Sequence, residues 1–419
     1  MSKDNNNFFM VKNEWSLIKD KLLGCYLVPY FQKVLATGKK ISYVDCFSGK
    51  GRFEDGNPGS PIIALEIRDK CLQQTKRNID KKVAIGMTFI DLNYASDLQT
   101  NIAQFDNCYG TPCVVSGKYE DKILDILKNR EGQNVFLYID PYGIRALDTT
   151  LFDKFQELGF HSFEMLINFN SFGFFRDACR IMSVEYKHDK ALQNLDDLVE
   201  YDSTSIATID KPDDMLTRVA GGDYWKAIVL DYKDGVIDGY KAEQRLSTEY
   251  KQRLKTRYKY VLDIPIRLKA GSRPKYRMIH VSDHEAGCFL MAQNMQNRKE
   301  ELYTNIQTGG QMTLFDVMPG ITQTVEGEWL LEDDVTKKIR ASVECIETEM
   351  RITRFIAAFV NQNGLICDFD FIYKTLKKLE EEKLIDIERN PSISSKSRRA
   401  STFMTESPTQ TVTIRRRKA

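Results

Sequence analysis

Residues 41–61, ISYVDCFSGKGRFEDGNPGSP, constrain the fold of this chain more than any other stretch. They begin as an apolar strand that ends on Asp45, pass through a loop that holds Gly49 and Gly51, and enter a helix near Gly59. A strand, an acidic strand end, a glycine loop and a helix are typical of a pocket for a nucleotide-bearing cofactor. Glycine suits such a loop because it has no side chain to keep the backbone away from a ligand. A β-turn-α connection that binds nothing has the same outline, so the pattern leaves that alternative open.

Strand and helix patterns alternate through the first half of the chain. Short apolar runs at residues 83–90, 113–115, 134–139 and 162–168 predict strands, with helical patterns between them. This order predicts an α/β fold with a parallel, doubly wound sheet. Alternating patterns at residues 258–268 and 276–281 predict an antiparallel pair that closes the sheet. The more polar residues from about 170 to 255 predict a helical insertion or a lid.

The ends of the chain predict separate segments. We expect residues 1–40 to form a helical cover on one edge of the sheet, kinked or divided at Pro29, and residues 41–300 to form the Rossmann-like domain. Residues 301–335 are rich in Gly, Gln and Thr and predict a linker. Residues 336–419 read as helix, helix, strand, loop, strand, which is typical of a winged-helix domain.

Arginines near the carboxyl terminus predict a nucleic-acid contact in that last domain. They are Arg398, Arg399, Arg415, Arg416 and Arg417. Clustered cations of this kind bind the phosphate backbone, although a solvated tail has the same composition. The whole chain carries 60 Lys and Arg against 59 Asp and Glu, which excludes a uniformly basic surface but leaves room for a local patch.

Cysteine and histidine usage argues against a metal centre. The nine cysteines form no C-x-x-C pair and only four histidines occur, so we expect no metal site and reduced thiols. No apolar run approaches the ~20 residues that span a bilayer, and the first residues lack a signal-peptide core. We therefore expect a cytoplasmic protein without a membrane partner.

Two further strand ends supply candidate ligand-binding residues. Asp91 follows the second strand, where an acid holds the ribose hydroxyls of a nucleoside, although a turn aspartate is the alternative. Gly117 follows the third strand and is a weaker pocket-wall candidate. Together with Asp45, Phe47, Gly49 and Gly51 they form the predicted cofactor-binding set.

The tetrapeptide after the fourth strand, Asp140-Pro141-Tyr142-Gly143, resembles the Asp-Pro-aromatic motif of amino-group methyltransferases. The glycine loop likewise resembles the first motif of S-adenosylmethionine (SAM) methyltransferases, which implies SAM as cofactor. In that resemblance Asp140 and the Pro141 carbonyl accept the hydrogens of an exocyclic amine, and Tyr142 stacks on the base. A simple Asp-Pro turn is the alternative.

Dispersed motifs make the chain resemble the three-Cys-motif partner protein family, TcmP. They are YVDCFSGKGR with the later GSP, YIDPYGI, GGDYW, MIHVSDHEAGCFLM and the clip at residues 311–315, with Cys46 and Lys50 as mild departures. The resemblance implies a methyltransferase-like Rossmann fold and a radical-SAM-like partner that carries the three-cysteine motif. It fixes the fold better than the reaction.

Three functions remain open. The first is SAM-dependent methylation of a base amino group in RNA or DNA, and the second is a catalytically silent module that binds nucleic acid and the partner. A nuclease or phage-defence activity is a third, without a carboxylate or histidine cluster to support it. Phe172, Phe174 and Phe175 are interpreted as core more readily than as a base-stacking wall with Asn168 and Asn170, and His280, Trp225 and Cys46 as structural.

Overall fold

The computed structural model describes most of the chain, in two compact units, Met1–Asp283 and His284–Ala419. The described residues are 9–10, 12, 14–103, 105, 109–186, 188–189, 192, 212–267, 274–308, 330–393 and 398–417. The apolar clip at residues 311–315 and most of the predicted linker lie outside them.

Seven strands of the described first unit form one sheet. They are β1 (Ile41–Asp45), β2 (Ile85–Asp91), β3 (Cys113–Ser116), β4 (Asn134–Ile139), β5 (Ser162–Phe169), β6 (Tyr260–Arg267) and β7 (Pro274–Ser282). Their order is β3-β2-β1-β4-β5-β7-β6. Strands β1 to β5 run parallel, and β7 is antiparallel to both β5 and β6. This confirms the predicted Rossmann-like sheet and its antiparallel end. Because β1 lies between β2 and β4, the chain changes direction at the β1–β4 pair, which is where open α/β sheets bind ligands.

Helices cover both faces of this sheet. They are α1 (Glu14–Val34), α2 (Ser60–Gln74), α3 (Ala95–Ile102), α4 (Tyr119–Lys128), α5 (Thr149–Phe155), α6 (Ser171–Ile181), α7 (Pro212–Ala220), α8 (Tyr224–Lys233) and α9 (Gly239–Lys255). The helices α6 to α9 fall in the segment where the sequence predicts a helical insertion. Alternate residues of each strand face opposite layers, so Val44 and Leu137 join the core that includes α4 to α9.

The helix α1 lies on a face of the sheet, which corrects the expectation that it covers an edge. Its Tyr30 ring is 5.2 Å from Phe136 of β4, and its Phe31 ring is 6.5 Å from Tyr43 of β1. Both are central strands. The helix also continues through Pro29 as one element, without the predicted division. Its aromatic residues are buried on both sides of the proline, so packing on the sheet stabilises the helix before and after Pro29.

The second unit is a helical unit with a small antiparallel sheet. Its elements are α10 (Glu285–Thr308), α11 (Glu332–Glu344), β8 (Met350–Arg351), α12 (Ile352–Asn363), α13 (Phe369–Glu381), β9 (Ile385–Asn390) and β10 (Thr411–Arg416), with strand order β8-β10-β9. The sequence predicted α12, α13 and the β9–β10 pair, but not α11 or β8. The boundary falls after Asp283 rather than at residue 300, because α10 packs within this unit, with the Phe289 ring 5.5 Å from Phe369. Among the described helices, none combines the length and apolar character needed to cross a bilayer.

Candidate active site

A cavity opens at the carboxyl ends of β1 and β4. It holds about 950 Å³ of space, counting its open mouth. Its walls come from the glycine loop after β1, the turn after β4, the end of β5 and the first turns of α1. The register pairs Asp45 with Tyr138, which places Asp140 two residues beyond Asp45 on the neighbouring strand. The two acidic strand ends therefore lie side by side, as the sequence predicts.

The glycine loop is shaped by close contacts of its own backbone. Gly51 has a φ of +78°, and a Cβ there would lie 2.6 Å from Leu98 Cδ1. The Gly59 amide donates to the Gly51 carbonyl at 2.8 Å, which closes the loop before α2 begins. Gly49 also has a positive φ, and a Cβ on it would lie 3.0 Å from the Phe9 ring. These glycines are required by the loop conformation, and Phe9 covers the backbone at Gly49.

Asp45 lies beneath the cavity and does not line it. Its Oδ2 accepts from Ser60 Oγ at 2.7 Å, and its Oδ1 accepts from the Phe47 amide at 3.2 Å. Burial raises the pKa of Asp45 to about 7, an effect that these two hydrogen bonds partly offset. Ser60 and Phe47 do line the cavity, so Asp45 can influence a molecule bound there through the Ser60 hydroxyl that donates to it.

Asp91 joins the end of β2 to the glycine loop. Its Oδ1 accepts from the amides of Asn93 at 2.8 Å and Tyr94 at 2.7 Å, and its Oδ2 accepts from the Gly49 amide at 2.8 Å. These are the contacts of a turn aspartate. Because a carboxylate has about four acceptor positions, they leave one on Oδ2 for a ligand. Asp91 does not line the cavity.

Gly117 does not line the cavity either. Its amide donates to the Asp91 carbonyl at 3.1 Å, and a Cβ on it would lie 2.7 Å from Lys122 Cε. With a φ of +138°, this position is restricted to glycine by the turn after β3.

Asp140 lines the cavity and is held by three side chains. Lys19 Nζ donates to Oδ1 at 2.9 Å and to Oδ2 at 2.8 Å. Asn168 Nδ2 donates to Oδ1 at 2.7 Å, and the Tyr138 hydroxyl donates to Oδ2 at 3.3 Å. Four donor contacts occupy the four acceptor positions of the carboxylate.

Pro141 and Tyr142 line the same cavity, and Tyr142 stands at its mouth with 40% of its surface exposed. An aromatic ring placed in this way can stack on a planar ligand. The structure thus brings together Phe47, Gly49, Gly51, Asp140, Pro141 and Tyr142 of the predicted residues.

The helix α1 contributes side chains that the sequence interpretation missed. Ser16, Lys19 and Asp20 line the cavity. Burial raises the pKa of Asp20 to about 6, and Lys12, 2.5 Å away, opposes that shift. A signal was present, because Ser16 and Lys19 continue the helical stripe that Leu23 and the buried tyrosines of α1 occupy. A lysine on an otherwise apolar stripe needs a buried partner.

Arg176 of α6 and Tyr276 of β7 also line the cavity and were not predicted. Arg176 is only 2% exposed, so it places a guanidinium in a largely buried wall. The Lys19 ammonium lies 5.1 Å from the centre of the Tyr276 ring, a cation–π contact that adds to its ion pair with Asp140.

Several other residues are structural, as interpreted from the sequence. Phe172, Phe174 and Phe175 are buried in the core, and so is Trp225. His280 lies 2.9 Å from Glu164 inside the sheet. Burial holds the pKa of the Cys46 thiol well above its usual value, and the residue is closed to solvent. Within the described ranges, no group of three or more His, Cys, Asp and Glu side chains is placed to hold a metal ion.

The arginines expected to contact nucleic acid lie in the second unit, where Arg415, Arg416 and Arg417 bind their own chain. Arg415 and Arg417 donate to Asp386 at 3.2 and 2.6 Å, and Arg416 donates to the Glu344 carbonyl at 2.6 Å. The other two, Arg398 and Arg399, are exposed. Lys418, at the end of the basic run, lies outside the described residues.

Comparison with known proteins adds little to this geometry. No protein-family model and no curated protein matches the sequence. A solved structure of the plantazolicin methyltransferase BamL, in complex with a triazolic desmethylPZN analog and SAH, aligns with 65% of this chain and 87% of its own. The identity is 10% and the TM-score 0.29, so the description of the fold rests on the strand order of this chain.

Proposed function

We propose that this chain is a SAM-dependent methyltransferase that acts on an exocyclic amino group of a nucleic-acid base. One observation carries the proposal. The glycine loop after β1 and the Asp140-Pro141-Tyr142 turn after β4 open into one cavity at neighbouring strand ends. A cofactor held by the first and an amine held by the second would meet in that cavity.

The cavity wall suits the charges of SAM. Its amino-acid end carries an ammonium and a carboxylate, and the wall offers an acid in Asp20 and cations in Lys19 and Arg176. The loop backbone from Phe47 to Gly51 and the Ser60 hydroxyl would hold that end, and Asp91, which does not line the cavity, would act through the Gly49 amide that it binds. When bound, SAM supplies an electrophilic methyl group.

The residues of the turn after β4 would prepare the substrate amine. An amine conjugated to a base ring is a poor nucleophile, because its lone pair is delocalised into the ring. Asp140 and the Pro141 carbonyl would accept its hydrogens and aim the nitrogen, while Tyr142 would stack on the base. The rate gain would come from positioning and from stabilising positive charge on the nitrogen.

The second unit would bind the nucleic acid as a winged-helix domain. Two helices, α12 and α13, precede a strand, a long loop and a strand, and exposed Arg398 and Arg399 lie in that loop. Arg415 and Arg417 would exchange Asp386 for phosphate. The resemblance to TcmP adds a proposed radical-SAM-like partner with the three-cysteine motif, which co-purification from a host that expresses both chains would test.

A catalytically silent binding module is the second candidate, and the contacts of the two acids favour it specifically. Asp140 has all four acceptor positions occupied, Asp91 has three occupied, and Phe9 covers Gly49. These contacts are the ones expected of a site whose own side chains occupy the positions that a ligand would otherwise take.

Methyl transfer from labelled SAM to total cell nucleic acid, followed by nucleoside mass analysis, tests the proposal. The wild type should label one nucleoside. Asp140→Ala should lose that label and still bind SAM by calorimetry, whereas Asp125→Ala, whose side chain is 80% exposed on α4, should keep it. Retained labelling in Asp140→Ala would refute the assigned role. Failure of the wild type to bind either SAM or its demethylated product would favour the silent module.

A further inference from the structure

The side-chain amide of Asn168, at the end of β5, uses its nitrogen in a hydrogen bond, whereas its oxygen has no partner among the described residues. Register pairs Ile139 with Ile167, so Asp140 and Asn168 come next on adjacent strands. Asn168 Nδ2 donates to Asp140 Oδ1 at 2.7 Å. Since a carboxylate only accepts, the amide must turn its nitrogen towards Asp140 and its oxygen away.

Asn168 Oδ1 is a buried acceptor without a hydrogen-bond partner among the described residues. The residue is 3% exposed and lines the cavity. Leaving a buried acceptor unpaired is unfavourable, and such atoms in a cavity wall mark places where a ligand donates. Asn168 therefore offers the acceptor that Asp140 lacks.

Asp140 can receive a substrate only if one of its present donors leaves. Its four acceptor positions are filled by Lys19, Asn168 and Tyr138. Asn168 and Tyr138 are fixed on strands, whereas Lys19 reaches Asp140 on a flexible four-carbon side chain. Lys19 is the donor that a ligand can displace, and its departure frees one acceptor position on each oxygen of Asp140.

We propose that Asn168 is a substrate-binding residue that, with Asp140, takes the two hydrogens of a primary amine, and that the Lys19 ammonium occupies the place of that amine until substrate binds. This deepens the proposed function and rests on it for the identity of the ligand. Asp140 takes one N–H and Asn168 Oδ1 the other, so that Asn168 replaces the Pro141 carbonyl as the second acceptor. The pair selects substrates that carry an –NH₂ group over those with a hydrogen or a carbonyl oxygen at that position.

Binding of matched nucleosides to the full chain tests this. The pairs are adenosine and purine riboside, cytidine and 2-pyrimidinone riboside, and guanosine and inosine, which each differ by the amino group. Calorimetry is run with and without sinefungin, a non-reactive SAM analogue with a positive charge. In the wild type, one amino nucleoside should bind about tenfold more tightly than its counterpart, because only the amine satisfies the buried Asn168 acceptor and replaces Lys19 on Asp140.

Asn168→Ala should cut that ratio about threefold or more, since it removes one of the two acceptors. Asn134→Ala is the matched control. Asn134 is 1% exposed at the opposite end of β4 and donates to Thr37 Oγ1 at 3.1 Å, so its loss also removes a buried amide but should leave the ratio unchanged. An undiminished ratio in Asn168→Ala, or a wild type that discriminates none of the three pairs, would overturn the proposal.

Lys19→Met tests the displacement separately. It keeps the length of the side chain without the ammonium, so the amino nucleoside should bind about threefold or more tightly while its counterpart is unaffected. Weaker binding of both would show that Lys19 holds the substrate and would overturn the displacement. Failure of sinefungin to bind counts against the methyltransferase alone, because the nucleoside ratios are also read without it.

Discussion

The stability of the first unit should fall as pH rises from about 5.5 to about 8, and Asp45 should account for much of the fall. Asp45 is fully buried, and its pKa is raised from an ordinary 3.8 to about 7. The folded state therefore holds a proton on Asp45 through a range where the unfolded chain has lost it. Its contribution is fully present below the unfolded pKa and is lost as pH rises through the folded one.

The size of the effect follows from the two pKa values. The difference between these pKa values lowers the free energy of unfolding by about 2 kcal/mol at pH 5.5 and about 4 kcal/mol at pH 8, relative to acid conditions. Asp45→Asn removes this dependence. The amide fits the site, because the Ser60 hydroxyl can turn from donor to acceptor while the Phe47 amide still meets an oxygen.

Denaturant unfolding of the wild type and of Asp45→Asn at the two pH values provides the assay. Between pH 5.5 and 8, the free energy of unfolding of the variant should gain about 2 kcal/mol relative to the wild type, since titrating groups that do not interact with Asp45 cancel in the difference. Asp125→Asn makes the same charge change on an 80% exposed side chain and should follow the wild type. Parallel curves for the wild type and Asp45→Asn would refute the burial of Asp45 beneath the loop.

Three further predictions concern the loop, the ion pair and the second unit. Gly51→Ala should lower the free energy of unfolding by about 1–3 kcal/mol more than Gly56→Ala, since both have positive φ but only the first would clash with a neighbour; denaturant unfolding measures both. Lys19→Met should lower the free energy of unfolding by about 1–2 kcal/mol, because the mostly buried Asp140 carboxylate loses its cation. Replacing Arg415 and Arg417 by Ala should weaken nucleic-acid binding and reduce the slope of log K against log salt by up to about 2, as read from salt titrations.

The central sheet was predictable because its strands are short apolar runs between turns. Strand ends were placed within about two residues, since polar residues lie at or directly after most of them. The strand β8 has two residues and no pattern to detect. The helix α11 buries Val335, Ile339 and Val343 among charged neighbours, and its amino end falls in a stretch whose composition resembles a linker.

The candidate site was predictable only where one segment of sequence supplies it. The glycine loop and the turn after β4 are contiguous motifs, and both line the cavity. Two of the three partners of Asp140 are distant from it in the sequence, since Lys19 is 121 residues away and Asn168 is 28 residues away. Their position depends on α1 crossing the face of the sheet and on the β4–β5 register. Spacing along the sequence specifies neither.

The charges around Asp140 also imply an order of binding. Lys19 is the cation closest to Asp140 in the cavity, and a neutral amine that displaces it leaves that carboxylate beside Asp45 and Asp20, whose pKa values Asp140 already raises. A positively charged cofactor in the same cavity would restore the balance, so the amine should bind after SAM. Sinefungin, which carries a charge near the position of the sulfonium, should therefore tighten binding of the amino nucleoside, whereas neutral S-adenosylhomocysteine should do so several-fold less. Equal effects of the two analogues would show that shape, and not charge, couples the two halves of the cavity.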